Sequence, residues 1–201
     1  MDANKTERTG RNEYILRQGI DTSNKKKEWK LGAWNVRSLH GKECELVSEF
    51  EETGLTILCI SETKMKGQWE RVIDNDHILL HSGVNMSDRA AAGVGIIIHR
   101  NLRININRWE AVSERILAVE LKDSKKKTMT IISVYGPNDN DNIEEKEKFW
   151  EELTSTSEDG RGTLFIAGDF NSRVGKKNDR YKAVLGQHGE EKNGMTDIRL
   201  F

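Results

Sequence analysis

The sequence predicts an α/β fold in which a few helices pack against β-sheets. Apolar residues are concentrated in short runs of strand length separated by turn-like polar segments, and only two segments have clear helical periodicity. Polar residues also follow directly after several of these runs, as they do at the ligand-binding edge of layered α/β folds.

Composition narrows the class of protein. The 201 residues suit one domain, and 35% hydrophobic with 32% charged residues implies that part of the length is solvated. A net charge of −1 does not indicate a basic nucleic-acid coat. The two cysteines lack metal-binding spacing, and no signal peptide or apolar run of roughly 18 residues occurs. We expect a nuclear or cytoplasmic protein that is neither secreted nor membrane-bound.

The amino-terminal 27 residues are polar and lack sustained periodicity. They predict a flexible, mildly basic arm over 1–27, followed by one folded domain over 28–201. The run Lys25-Lys26-Lys27 favours a solvated linker over a localisation signal or a phosphate contact.

The first half of the domain predicts a strand, a helix and a second strand. Leu46, Val47 and Phe50 share one helical face, and Gly54 is a natural helix stop. The continuous apolar run after it is typical of a strand buried on both faces. These segments are 29–39, 42–53 and 55–60.

The second half predicts more strands and one further helix. Asn142 followed by Glu145 three residues later resembles a capping box at the start of that helix. The segment 123–127 is typical of a hairpin tip. The predicted strands are 77–82, 93–99, 115–121, 129–135 and 163–167, and the predicted helix is 142–156.

Four strand ends carry polar clusters that can meet at one edge of a sheet. They begin at Asn35, Ser61, Tyr135 and Gly168, and the second and fourth contain Glu62 and Asp169. Carboxylate, amide and phenol oxygens suit a hard cation such as Mg²⁺, whereas the imidazole and thiolate groups expected for zinc are missing from these clusters.

The segment Asp169-Phe170-Asn171 is the most informative of these clusters. The two-residue period of a strand predicts Asp169 and Asn171 on one face and Phe170 on the other, where it anchors the strand in the core. An ionised aspartate can orient and deprotonate a water near a metal. Taken alone, an acidic residue after a strand is more often a turn or cap.

Six motifs in order give a more specific pattern: WNVRSL, SETK, GVGIII, SERILAVEL, VYGPN and GDFNSRVG. Together they resemble the endonuclease/exonuclease/phosphatase superfamily over about 29–189. VYGPN and GDFNSRVG resemble more narrowly the apurinic-type endonuclease domain of LINE retrotransposons of the RTE/BovB kind, whose cellular copies are called craniofacial development protein 2-like.

This resemblance implies a layered α-β-β-α sandwich of the DNase I-like type and a Mg²⁺-dependent endonuclease that hydrolyses DNA phosphodiester bonds, with Mn²⁺ as a possible substitute. By position, Glu62 would be the principal metal ligand, with Asn35 in the metal shell. Asp169 would position or activate the attacking water, and Asn171 would polarise the phosphate.

Three more residues match the family pattern. Tyr135 and Asn138 would contact the scissile phosphate, and Arg115 would orient the site or bind substrate. Structural roles are the alternative for each: Asn35 and Asn138 could satisfy loop backbone, Tyr135 could pack at a strand end, and Arg115 could pair with a neighbouring glutamate.

The resemblance also implies a late Asp-His pair that stabilises the transition state. Asp197 is not followed by His, and His188 lies in a Gly-Gln-His-Gly turn. We therefore expect a domain truncated at its carboxyl end, with a sheet edge that promotes association. Loss of one charge-stabilising group typically costs on the order of 10²–10³ in rate, so weak or absent activity is expected.

A basic cluster follows the Asp169 motif and contains Arg173, Lys176 and Lys177. It predicts either a contact strip for the DNA backbone or a solvated loop. Two other functions remain open: a non-catalytic remnant that binds nucleic acid or protein, and a phosphatase of the same fold.

Overall fold

The computed structural model describes residues 5–9, 13–17 and 29–172. Seven of its strands form a first sheet, in the spatial order β1-β2-β3-β4-β7-β6-β5. Only β3 and β4 run parallel within it; their neighbours pair antiparallel. The strands are β1 (Lys5–Thr9), β2 (Glu13–Arg17), β3 (Leu31–Asn35), β4 (Ile57–Ser61), β5 (Gln68–Ile73), β6 (His77–Ser82) and β7 (Val94–Ile98).

Four further strands form a second sheet, in the order β11-β10-β9-β8. The β10 and β11 strands are parallel and in register, so that Tyr135 lies beside Asp169. The strands are β8 (Ile106–Ser113), β9 (Ile116–Lys122), β10 (Thr128–Tyr135) and β11 (Thr163–Asp169). The helices are α1 (Glu43–Glu52) and α2 (Ile143–Glu158), with short 3₁₀ turns at Asp74–Asp76 and Arg100–Asn105.

The elements stack in four layers, α1, first sheet, second sheet and α2. Phe50 of α1 packs on the outer face of the first sheet, and Phe149 of α2 packs on the outer face of the second. The apolar core lies between the sheets, where Ile96 and Val119 are fully buried. The layered α-β-β-α prediction is confirmed.

Most predicted helices and strands are confirmed, and the sequence features that predicted them have the expected structural roles. The three apolar residues expected on one face of α1 are buried, and the helix ends just before Gly54, whose φ of 63° suits glycine. Asn142 caps α2 by accepting a hydrogen bond from the Glu145 amide at 2.8 Å. Asp123 closes the β9–β10 hairpin by accepting from the amides of Lys125 and Lys127.

The structure contains strands that the sequence did not predict. Two of them, β1 and β2, lie within the predicted amino-terminal arm, and β2 extends the first sheet by pairing with β3. The strands β5 and β8 were not predicted, because their residues are mostly exposed or half-buried and carry little apolar alternation. None of the helices in the described ranges is both long and apolar enough to span a membrane.

Candidate active site

The carboxyl ends of the two parallel strand pairs meet at one rim of the sandwich. Asn35 ends β3, and Glu62 directly follows β4, in the first sheet; Tyr135 and Asp169 end β10 and β11 in the second. A hydrogen bond of 2.8 Å from Asn35 Nδ2 to Asp169 Oδ2 joins the two sheets across 134 residues of chain. The predicted convergence of strand ends is therefore confirmed for this pair.

The Asp169 carboxylate is held by two donors. Asn35 binds one oxygen, and the backbone amide of Asn171 donates to the other at 2.9 Å. The β11 strand ends at Asp169 and Asn171 has a φ of 49°, so the two-residue period does not extend to Asn171. Phe170 stacks on Trp150 of α2 at 6.4 Å, which confirms its predicted place in the core.

The turn after β10 rests against the turn after β11. The Gly136 amide donates to the Asp169 carbonyl at 2.7 Å, and Asn171 Nδ2 donates to the Gly136 carbonyl at 2.7 Å. A Cβ at Gly136 would lie only 2.3 Å from the Phe170 carbonyl oxygen, so this approach requires glycine. The VYGPN and GDFN motifs thus form one unit.

Arg115 braces this unit from the β8–β9 turn. Its guanidinium donates to the carbonyls of Tyr135 and Gly136 at 3.3 and 3.2 Å, and to Asp141 Oδ2 at 3.2 Å. Its Cζ also lies 5.6 Å from the centroid of the Tyr135 ring. Arg115 therefore holds the turn through Asp141, rather than pairing with a neighbouring glutamate as the alternative expected.

Asp141 is a residue that the sequence reasoning missed. Its Oδ2 also accepts from the backbone amide of Asn138 at 2.8 Å, which fixes the turn that carries the exposed Asn138 side chain. This bond is local, and aspartate is one of the residues that dominate turns. Its partnership with Arg115, 26 residues away, leaves no local signal.

Tyr135 faces this rim from a buried position, with 7% of its surface exposed. Burial raises the pKa of its phenol above the usual range, and the negative charges of Glu62 and Asp169 raise it further against the opposing hydrogen bond from Asn171 and the charge of Arg115. The hydroxyl therefore keeps its proton at neutral pH. Its ring also belongs to the core between the sheets, so the packing role is real as well.

Glu62 follows β4 with a φ of 56°, a left-handed conformation that non-glycine residues seldom adopt. Its Oε1 lies 2.9 Å from Lys64 Nζ. Asn35 Oδ1 accepts from the Arg37 amide at 3.1 Å. The structural role proposed for Asn35 is thus present alongside its contact with Asp169.

The donor set at the rim can be tested against the expected metal. Within the described residues, no group of three or more His, Cys, Asp or Glu side chains could by itself hold a metal ion. Glu62 and Asp169 offer carboxylate oxygens and Asn35 an amide oxygen, all hard donors. Mg²⁺ is usually held by only one or two carboxylates and keeps several waters, so the residues fit it. They do not form the nitrogen and sulfur set that zinc prefers.

Two predicted features fall outside the described residues. The basic cluster of Arg173, Lys176 and Lys177 is one, and the segment in which an Asp-His pair was expected is the other. Both stay predictions.

The chain is similar to two curated proteins and to several solved structures. No protein-family model matches the chain. Craniofacial development protein 2 of Bos taurus is 32% identical over 167 residues, covering 82% of this chain and 27% of that protein. The Tragulus javanicus protein is 30% identical over the same length, covering 82% of this chain and 28% of the relative. The chain therefore spans about a quarter of these curated relatives.

Solved structures share the fold at low sequence identity. The AP endonuclease LMAP of Leishmania major has a TM-score of 0.57 and 14% identity, covering 72% of this chain and 56% of that one. The Xenopus laevis APE2 catalytic domain has a TM-score of 0.56 and 16% identity, covering 74% and 61%. The endonuclease domain of the non-LTR retrotransposon TRAS1 has a TM-score of 0.51 and 14% identity, covering 73% and 60%.

This is the endonuclease/exonuclease/phosphatase fold. The fold that the resemblance implies is therefore confirmed, and over the matched 167 residues the chain is similar to craniofacial development protein 2. In this DNase I-like fold the rim described above lies where the parallel strands of both sheets end. The narrower LINE-type lineage stays a prediction.

Proposed function

We propose that this chain is a divalent-metal-dependent nuclease domain that hydrolyses DNA phosphodiester bonds at the rim. The observation that carries the proposal is the Asn35–Asp169 hydrogen bond of 2.8 Å, because it brings the polar ends of both sheets to one place. Ligands of open α/β sheets commonly bind outside the carboxyl ends of the strands.

Glu62 would hold Mg²⁺, with Asn35 in the same shell and Mn²⁺ as a possible substitute. The metal would stabilise negative charge on the phosphate and on the leaving oxygen. The charges of Glu62 and Asp169 both reach the Tyr135 hydroxyl. Two carboxylates thus lie close to the same hydroxyl, which supports a cation site on this side of the rim.

Asp169 would orient the attacking water and accept its proton. A base must be held in a fixed orientation to do this. The Asn35 amide and the Asn171 backbone amide provide that orientation, since each donates to a different Asp169 oxygen.

Tyr135 would donate a hydrogen bond to a phosphate oxygen, because its raised pKa keeps the hydroxyl protonated. Asn171 would polarise the phosphate beside it, and the exposed Asn138 side chain would contact the phosphate from the turn. Arg115 would act through this turn, whose carbonyls it binds, rather than by touching substrate itself.

DNA is the proposed substrate because the structures with this fold include AP endonucleases and a retrotransposon endonuclease domain. A LINE-type origin of this chain is part of the same proposal. Arg173, Lys176 and Lys177 would contact the DNA backbone after the Asp169 motif. Action on DNA in the nucleus agrees with the location expected from the sequence.

The test is a nicking assay on supercoiled plasmid with Mg²⁺, comparing wild type with Asp169→Asn. We expect nicking that EDTA abolishes and that the variant loses by on the order of 10²–10⁴-fold. Asp123→Asn is the matched control, because Asp123 closes the hairpin at the opposite end of β10 from Tyr135. Equal rates for wild type and Asp169→Asn would refute the proposal.

A non-catalytic nucleic-acid-binding remnant is the second candidate. It is favoured by the ion pair of 2.9 Å between Glu62 and Lys64, which neutralises the proposed metal ligand within the protein. This candidate predicts that wild type and Asp169→Asn bind DNA equally, with no cleavage by either. Release of inorganic phosphate from inositol phosphates, without plasmid nicking, would instead indicate a phosphatase.

A further inference from the structure

The segment that carries Glu62 has an unusual backbone. Glu62 and Lys64 have φ values of 56° and 54°, both in the left-handed region, and neither is glycine. Thr63 between them is fully buried. Two unfavourable conformations on either side of one residue persist only where the surrounding structure imposes them, so the contacts of Thr63 explain how Glu62 is held.

Thr63 is bound through its hydroxyl to a buried histidine. Its Oγ1 lies 2.9 Å from His81 Nε2, and His81 Nδ1 lies 3.1 Å from the carbonyl oxygen of Gly67. A carbonyl can only accept, so Nδ1 carries the proton and Nε2 of the neutral ring accepts from the Thr63 hydroxyl. Each ring nitrogen thus has a defined role.

The orientation of His81 is fixed by an aromatic contact. Trp69 stacks on the ring at 4.5 Å with an interplanar angle of 19°, and its own Nε1 donates to the Lys66 carbonyl at 3.1 Å. The stack prevents the His81 ring from rotating away from Thr63. Burial also lowers the pKa of His81 to about 4, which keeps the ring neutral at physiological pH.

Gly93 completes the enclosure of Thr63. A Cβ at Gly93 would lie 2.1 Å from Thr63 Oγ1, and the φ of Gly93 is +123°. Its carbonyl accepts from the Thr63 amide at 3.0 Å, and the Ala92 carbonyl accepts from the Lys64 amide at 3.0 Å. The loop before β7 therefore holds the segment from one side.

The β3–α1 loop holds it from the other side. The Ser38 amide donates to the Glu62 carbonyl and the Leu39 amide to the Thr63 carbonyl, both at 2.8 Å. Both peptide units of the segment are thereby fixed, which sets the direction in which the Glu62 side chain leaves the backbone. Thr63 is the point at which the two loops and His81 meet.

We propose that Thr63 and His81 are positioning residues that hold the Glu62 carboxylate in the orientation needed to bind the metal. This inference rests on the proposed function, because it assumes that Glu62 is the metal ligand. Partners that orient a metal ligand typically change metal affinity or activity by about 10–100-fold when they are removed.

The experiment compares Thr63→Val, which keeps the shape but loses the hydroxyl, with Thr63→Ser, which keeps the hydroxyl. We expect Thr63→Val to weaken Mg²⁺ binding in calorimetry, and to lower kcat for plasmid nicking, by about 10–100-fold with KM for DNA unchanged. Thr63→Ser should stay close to wild type. His81→Phe keeps the ring stacked on Trp69 and should behave like Thr63→Val. If Thr63→Val does not fold, His81→Phe provides the same test.

Amide hydrogen exchange gives a readout that does not need activity. Ser38 and Leu39 amides should exchange faster in Thr63→Val and His81→Phe, while the amide of Ile131 in the central strand β10 should not change. If wild type neither binds Mg²⁺ nor cuts DNA, the proposed function fails. The exchange data still test whether Thr63 and His81 hold the backbone of the Glu62 segment in place. Unchanged metal affinity and exchange in both variants, or equal damage in Thr63→Ser, would overturn the inference.

Discussion

The two ends of the first sheet both carry polar networks, but the networks differ in how far they are satisfied. At the amino end of β4, buried His77 donates from Nε2 to Glu51 Oε1 at 3.1 Å and accepts from the Arg100 amide through Nδ1 at 3.1 Å. Asn75 binds the other Glu51 oxygen at 2.9 Å. Arg100 Nη1 lies 3.7 Å from Glu51 Oε1.

At the carboxyl end, acidic groups are gathered with less compensation. Glu62 pairs with Lys64, whose side chain is 41% exposed, and the charges of Glu62 and Asp169 both act on Tyr135. Water around the exposed Lys64 side chain screens this ion pair, so it contributes little to stability. We therefore expect the amino-end network to stabilise the fold and the carboxyl-end rim to bind a ligand.

The largest expected effect that separates the two ends is on catalysis. Tyr135→Phe keeps the buried ring but removes the proposed hydrogen bond to phosphate, so kcat for nicking should fall on the order of 10²–10³-fold. The melting temperature should change little, because the ring packing between the sheets remains. A rate within threefold of wild type would remove Tyr135 from the catalytic set.

An intermediate effect concerns pH and the histidine behind the rim. Because the pKa of His81 falls to about 4 in the folded protein, from about 6.5 when unfolded, the unfolded chain binds more protons between these values. His81 therefore contributes stability above pH 6.5 that is lost as the pH falls toward 4, on the order of 3 kcal/mol.

The measurement is the free energy of unfolding by urea between pH 4 and pH 7, for wild type and for His81→Phe. Carboxylates and other histidines titrate in both proteins, so the difference between the two curves isolates His81. Parallel curves would show that burial does not depress this pKa.

The smallest effect is expected at the amino end and on stability alone. Glu51→Ala leaves the buried His77 Nε2 without its partner, which should lower the free energy of unfolding by about 1–3 kcal/mol. Plasmid nicking per folded molecule should be unchanged. A large loss of nicking in a folded Glu51→Ala protein would contradict the division between the two ends.

Sequence reasoning reached the layers and the strand-end clusters because both depend on local patterns. Buried strands such as β4 and β7 are continuous apolar runs. Glu62 directly follows β4, and Asp169 is the last residue of β11. The edge strand β5 was missed because its sequence QWERVI is mostly charged or exposed.

Contacts between segments that are distant in the sequence could not be predicted from local patterns. The pairing of Thr63 with His81 spans 18 residues, that of Arg115 with Asp141 spans 26, and that of Asn35 with Asp169 spans 134. Family resemblance pointed to Asn35 and Arg115 without naming their partners. The SETK motif includes Thr63 but gave it no role, and nothing singled out His81, since a buried threonine and histidine are usual core residues.

The two ends of the first sheet should differ in metal binding: we propose that the carboxyl-end rim binds a metal and that the amino-end network does not. Calorimetric titration of Mg²⁺ into wild type, Glu62→Gln and Glu51→Gln tests it directly, since each variant neutralises one carboxylate at one end. The account predicts binding to wild type and to Glu51→Gln, and its loss in Glu62→Gln. Equal binding by Glu62→Gln and wild type, or loss of binding only in Glu51→Gln, would contradict it.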